Sequence, residues 1–360
     1  MISTESFSRD WIIQRSRELK YNNKQLLEKV IRAFSLLEAL VNNGAPIIFK
    51  GGSSLLLILK DNLNRLSIDI DVICPPDDDI RRYFNNLDRY GFLNIIPVHT
   101  QHGGKDLPAS HFKSYYDIVF SGKDEEETYI RLDVLNADNP YYNTRVLPID
   151  SPFFKQEGEP LMVRVPARED ILGDKLTAFG PNTLGIPYFK GVDRDENRRS
   201  CSLEIIKQLF DISCLFNSVT DFTNTYKSFQ KVSAEELRFR PNLEGRMDLY
   251  FEDVRQSALC LSTRGQIGDG IFEELKNGLI RIKSYMYQRN YYIEQAAVDA
   301  AKAAYLATCF EHGITDIQKY GKEHDLHALS IFANMPKELQ RFRRSSPEAF
   351  WYWAKTYEML

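Results

Sequence analysis

Two aspartates in Leu66-Ser67-Ile68-Asp69-Ile70-Asp71-Val72 stand two positions apart in a run that is otherwise mostly apolar. Residues two apart on a β-strand point to one face, so Ile68, Ile70 and Val72 address a core while Asp69 and Asp71 face away from it. A third aspartate, Asp133, lies in Thr128-Tyr129-Ile130-Arg131-Leu132-Asp133-Val134-Leu135, where Ile130, Leu132 and Val134 alternate with Arg131 and Asp133. On a neighbouring strand its carboxylate would stand roughly 5 Å from the pair. Carboxylates that close repel unless cations offset their charge, and all-oxygen sites suit Mg²⁺ or Mn²⁺. Taken alone, Asp-x-Asp fits a solvated sheet face equally well.

The stretch Lys50-Gly51-Gly52-Ser53-Ser54 lies just upstream. Ile47 to Lys50 predicts a short buried strand and Ser53 to Lys60 a helix opening on a serine cap, with Gly51-Gly52 turning the chain between them. A glycine turn at a helix amino terminus binds phosphate through backbone N–H groups, the helix dipole and a hydroxyl. It is not a P-loop, because no Gly-Lys-Ser or Gly-Lys-Thr follows. Phosphate held beside carboxylate-bound metal is the setting of phosphoryl transfer, which the order of these motifs favours over a solvated face.

These residues resemble a known pattern. Lys50-Gly51-Gly52-Ser53-Ser54-Leu55 followed by Leu66-Ser67-Ile68-Asp69-Ile70-Asp71 looks like the KGGTAL … FSxDIDL signature of the AbiEii/AbiGii toxin family, a bacterial branch of the DNA-polymerase-β-like nucleotidyltransferases. Arg168-Glu169-Asp170-Ile171-Leu172-Gly173-Asp174-Lys175-Leu176-Thr177-Ala178 is similar to the family's EeilaeKLhAL helix, and Lys207-Gln208-Leu209-Phe210-Asp211-Ile212 to its RDlyDL helix. The resemblance spans residues 23 to 217 or so. Departures are Ser53 for the usual threonine, a slightly longer linker before Asp69, and Gln208 for the usual aspartate.

The resemblance implies an α+β fold: a mixed-sheet nucleotidyltransferase core with flanking helices, followed by an all-helical carboxyl-terminal domain. It implies that Asp69, Asp71 and Asp133 bind Mg²⁺ or Mn²⁺, that Lys175 and Asp211 are further active-site positions, and that Gly51, Gly52, Ser53 and Lys175 hold a nucleoside triphosphate. The implied reaction moves a nucleoside monophosphate to an acceptor with release of pyrophosphate. RNA, with the 3′ end of transfer RNA foremost, is the acceptor it suggests, and the biology it suggests is the toxin of a toxin–antitoxin or phage-defence pair with a separately encoded antitoxin. Transfer to a small molecule or a protein hydroxyl, and non-catalytic nucleotide binding on the same fold, are the alternatives. Without the resemblance, Lys175 reads as an edge-of-helix lysine, and Lys207 with Asp211 as a surface ion pair at i, i+4.

The elements that must position these residues follow from the rest of the chain. Residues 1–218 are expected to form the nucleotidyltransferase domain, with its core over 23–217, and 219–360 the helical domain. Leu26, Leu27, Val30, Phe34, Leu37 and Val41 predict an amphipathic helix from about Asn23 to Asn43. Further helices are expected from Asp78 or Asp79 to Tyr90, over Ala167–Phe179 and Ser202–Phe216, and around Leu249–Leu261, Asp269–Tyr287 and Tyr291–His312. A strand is expected around Leu93 to Val98, a loop from His99 to Ser110, and a hairpin pairing Tyr115–Phe120 with Thr128–Leu135 through an acidic tip at Ser121–Glu127.

With 46 basic and 50 acidic residues in 360, the chain is slightly acidic, which argues against a protein that coats duplex nucleic acid. The amino terminus lacks the features of a secretory signal, no apolar run is long enough to span a bilayer, and the five scattered cysteines form no CxxC pair. The expectation is a cytoplasmic protein with free thiols and no membrane contact. Two weaker constellations remain: Cys309, His312, His324 and His327 carry zinc-ligand chemistry at a spacing that matches no standard finger. Arg281, Lys283, Tyr285, Tyr287, Arg289, Tyr291 and Tyr292 mix bases with aromatics, as an RNA-stacking surface or as ordinary helix packing.

Overall fold

Helix α1 (Arg9–Glu18) is followed by α2 (Lys24–Asn42), which begins where Asn23 accepts the Leu26 N–H. Leu26, Leu27, Val30, Phe34 and Leu37 of its apolar stripe are buried as the periodicity predicts and Val41 is half-buried, but Glu28, Arg32 and Glu38 on the remaining faces are buried as well. Each buried charge has polar partners. Glu28 accepts the Val119 and Phe120 N–H groups, Arg32 donates to the Gly91 and Asp117 carbonyls, and Glu38 accepts the Ile2 N–H. Burial pushes both glutamates above the ordinary carboxylate range.

This structure is a computed structural model, and it describes residues 1–98, 109–120, 129–191, 198–326, 329 and 334–360. Its contacts divide the chain into two units, Met1–Ala167 with Ser284–Asn290 and Arg168–Lys283 with Tyr291–Leu360. The first holds a seven-stranded sheet of β1 (Ile48–Lys50), β2 (Ile70–Cys74), β3 (Phe92–Val98), β4 (Ala109–Tyr116), β5 (Tyr129–Asn136), β6 (Thr144–Pro148) and β7 (Met162–Pro166). Its order is β3-β4-β5-β2-β1-β7-β6; β2 runs parallel to β5 and β1 to β7, and the other neighbours are antiparallel. Helix α3 (Gly51–Ile58) follows β1 directly. Phe34 of α2 meets Phe49 of β1 edge-on, and Ile70, Val72, Ile130, Leu132 and Val134 are buried on the core face, as their alternation predicts.

Several elements differ from expectation. The strand expected from Leu66 begins at Ile70, because the chain before it pairs with the returning segment 284–290. Leu66 N–H donates to the Tyr285 carbonyl at 2.8 Å, Tyr287 N–H donates to that of Asn64 at 3.1 Å, and Arg65 forms a bridge with Met286. The helix expected up to Tyr90 is two 3₁₀ turns, Ile80–Tyr83 and Leu87–Tyr90, separated at Asn86, whose φ of 53° is left-handed. The strand expected at Tyr115–Phe120 runs instead over Ala109–Tyr116, so Ser110 is in a strand. Strands β6 and β7 were not expected. The Ser121–Glu127 tip and residues 99–108 of the expected loop lie outside the described residues.

The second unit contains α4 (Arg168–Thr177), α5 (Ser202–Ser218), α6 (Thr223–Leu237), α7 (Met247–Ser262), α8 (Phe272–Ile282) and α9 (Ile293–Glu311), a two-stranded ribbon of Phe189–Lys190 with Arg199–Ser200, and the last helix, Pro347–Met359. Trp351 and Trp353 of that last helix are buried. Beyond residue 219 the described residues form helices and no named strand, as expected of an all-helical carboxyl-terminal part. The sequence places a boundary near 218, whereas contacts place it at Ala167, and α4 shows why. A Cβ on Gly173 would lie 2.6 Å from the Thr225 carbonyl oxygen and 2.7 Å from the Phe229 nitrogen, so α4 and α6 touch backbone to backbone. No helix among the described residues is long and apolar enough to cross a membrane.

Gly173→Ala tests that packing. Helix propensity favours alanine by about 1 kcal/mol, whereas forcing a methyl group against backbone costs about 1–3 kcal/mol. Contact with immovable backbone makes the second effect win, and chemical denaturation should show a net loss of stability.

Candidate active site

A row of side chains crosses four adjacent strands. In the β1–β2 pairing Lys50 stands opposite Asp71, in the parallel β2–β5 pairing Asp71 stands opposite Asp133, and in the β4–β5 pairing Asp133 stands opposite His111. Cross-strand partners share a face, so the two carboxylates are immediate neighbours with Asp69 just before β2 on the same side. Asp133 Oδ1 accepts two hydrogen bonds, from Arg131 Nε at 2.7 Å and from His111 Nδ1 at 2.6 Å. Loss of hydration lowers the proton affinity of the Arg131 guanidinium, but the charge of Asp133, and after it those of Asp69 and Asp71, raise it above the ordinary arginine value. All three carboxylates thus act on one cation. Among the described residues no three His, Cys, Asp or Glu side chains are arranged as a metal-holding group. The donors are hard carboxylate oxygens, which suit Mg²⁺ or Mn²⁺, and Arg131 supplies the positive charge.

The glycine turn is built against this row. Gly51 has a φ of +74°, which L side chains rarely adopt, and a Cβ on it would fall 2.0 Å from Asp71 Oδ2. Gly52 is small for a different reason: a Cβ there would meet the Ser67 hydroxyl at 2.8 Å and Arg65 Nη2 at 2.9 Å. Helix α3 starts at Gly51 with Lys50 as its cap and without a side-chain cap, which corrects the expected serine cap. The serines are used otherwise. Ser54 Oγ donates to the Gly51 carbonyl, and the buried Ser53 Oγ donates at 2.5 Å to the carbonyl of Asp69, tying the helix to the residue before β2.

Lys175 and Asp211 lie in the second unit and meet there. Lys175 Nζ is 3.1 Å from Asp211 Oδ2 and donates to Gln208 Oε1 at 2.9 Å, with Lys175 and Asp211 both buried. Neither is therefore an exposed surface residue. Gln208, which stands where the resemblance expects an aspartate, leaves one carboxylate rather than two on the ammonium.

Of the remaining expectations, Tyr287 and Tyr291 are buried and pack edge-on against Phe153 and Phe210, so they are core residues. Cys309 is buried and its thiol pushed up to about 12, which disfavours the thiolate that zinc requires, while His327 lies outside the described residues. All five cysteines are free thiols. Sequence reasoning left Lys50, His111 and Arg131 without a role. Arg131 was within reach, since it alternates with Asp133, but His111 belongs to the site only through the register of β4.

An aspartate pair with a third aspartate in register on the next parallel strand, beside a glycine turn into a helix, makes this face of the sheet the candidate site. Residues 35–281 match the family model described as nucleotidyl transferase AbiEii toxin, type IV toxin–antitoxin system, and the chain belongs to that family. Among solved structures it is similar to JHP933 from Helicobacter pylori, with 16% identity over 78% of this chain and 92% of that one and a TM-score of 0.42. A candidate nucleotidyltransferase from the same organism is similar at 16% identity, over 76% and 91% of the two chains, with a TM-score of 0.37. No curated protein matches the chain.

Two substitutions test the site's construction. Gly51→Ala should cost about 1–2 kcal/mol of backbone strain and displace the Asp71 carboxylate, so stability falls modestly while nucleotidyltransferase activity is lost; activity assays and thermal melts on one preparation check this. Asp211→Ala leaves the Lys175 ammonium buried without its carboxylate and should cost about 3–5 kcal/mol. Combining Lys175→Met with Asp211→Leu should recover most of that loss in denaturant titrations.

Proposed function

We propose that the protein transfers a nucleoside monophosphate from a nucleoside triphosphate to an RNA end, foremost the 3′ end of transfer RNA, as the toxin of a toxin–antitoxin pair working in the cytoplasm. The observation that carries this reading is the register of Asp71 with Asp133 beside the Gly51-Gly52 turn, in a chain of this nucleotidyltransferase family. Mg²⁺ or Mn²⁺, held by Asp69, Asp71 and Asp133, supplies when bound the positive charge that lets a triphosphate approach three carboxylates. The chain's own groups do the rest. Backbone N–H groups at Gly51, Gly52 and Ser53, at the start of α3, bind the outer phosphates. Asp133 accepts the proton of the acceptor hydroxyl. Lys175 and Asp211 are proposed as further active-site positions on the ground of the family resemblance alone. A separately encoded antitoxin is the implied partner, and expression without it should arrest growth.

Labelled triphosphates incubated with total RNA and divalent metal test the reading. Intact protein should label RNA, and Asp69→Asn with Asp71→Asn should lower labelling by more than about 100-fold while the melting curve is retained. Equal labelling by the variant would sink the enzyme assignment. Label on protein or on a small molecule would sink only the RNA acceptor.

A further inference from the structure

The two oxygens of the Asp133 carboxylate are not equivalent. Arg131 Nε and His111 Nδ1 both donate to Oδ1, at 2.7 and 2.6 Å, and among the described residues none donates to Oδ2. A carboxylate on a strand turns readily about its terminal torsion, and two donors on one oxygen remove that freedom, leaving Oδ2 presented in one direction. The donors differ in how they respond to an arriving cation. Arg131 carries a full positive charge that opposes the cation, and its side chain is 44% exposed and able to withdraw. The His111 side chain is 14% exposed and held on β4 opposite Asp133. The imidazole therefore reaches Oδ1 from a fixed place on the neighbouring strand, at 2.6 Å.

We infer that His111 is a positioning residue for nucleotidyl transfer: it fixes Oδ1 of Asp133 so that Oδ2 is the single oxygen offered to the divalent ion and to the acceptor proton. The inference rests on the proposed function and deepens it. His111 also lines a cavity of about 640 Å³ with Asp78, Ser110, Phe112 and Asn136, so a ligand-contacting role in that cavity is the rival reading. Partners that orient a ligating carboxylate typically change metal affinity or activity by about 10- to 100-fold.

Mn²⁺ titration of the full-length chain followed by electron paramagnetic resonance reads the site without turnover. His111→Ala should weaken the Asp133-dependent Mn²⁺ site by about 10- to 100-fold and lower kcat while leaving KM for the triphosphate nearly unchanged. His111→Asn, whose Nδ2–H donates in place of Nδ1, should restore most of the affinity, which loss of folding in the alanine variant would not mimic. Wild-type affinity in His111→Ala, or a change confined to acceptor KM, overturns the inference and leaves the proposed function standing. If the wild type holds no Mn²⁺ that Asp133→Asn abolishes, the metal reading itself fails, and the inference with it.

Discussion

The candidate site depends on one constraint, the parallel register that sets Asp71 of β2 opposite Asp133 of β5. Two carboxylates at cross-strand distance repel, and a sheet tolerates the arrangement only where a cation stands nearby. Arg131 is that cation in this protein, drawing on all three aspartates. The apolar alternates Ile70, Val72, Leu132 and Val134 hold the register, since a slip by one residue would bury the carboxylates and expose the core. Hydrophobic burial thus carries the electrostatic cost of the site.

The glycine turn obeys the same constraint. Gly51 combines a left-handed backbone with a place directly against the Asp71 carboxylate, so turn and acid cannot be altered independently. The Ser53 hydroxyl extends this coupling to Asp69 through its carbonyl. The start of α3 and the aspartate pair are therefore joined by a hydrogen bond and by a close approach, so a change in one is felt by the other.

Lys175 and Asp211 show a different economy. A buried ammonium and carboxylate are costly to desolvate and stable only together, so the pair is justified structurally in its own unit before any ligand is considered. Gln208, in place of an aspartate, adds a neutral acceptor to the Lys175 ammonium.

By itself the sequence determined the glycine turn, the alternating acidic strands, the first long helix and the helical carboxyl-terminal half, because these are written in local periodicity and backbone chemistry. Asp69, Asp71 and Asp133 were legible for that reason. Only the tertiary structure decided that β2 starts at Ile70, since Leu66 pairs with the distant Tyr285, and that α4 packs against α6 through Gly173. It alone brought His111 to Asp133 and Lys175 to Asp211. Strand register and long-range pairing depend on residues far apart in the chain, and no local pattern encodes which of them will meet.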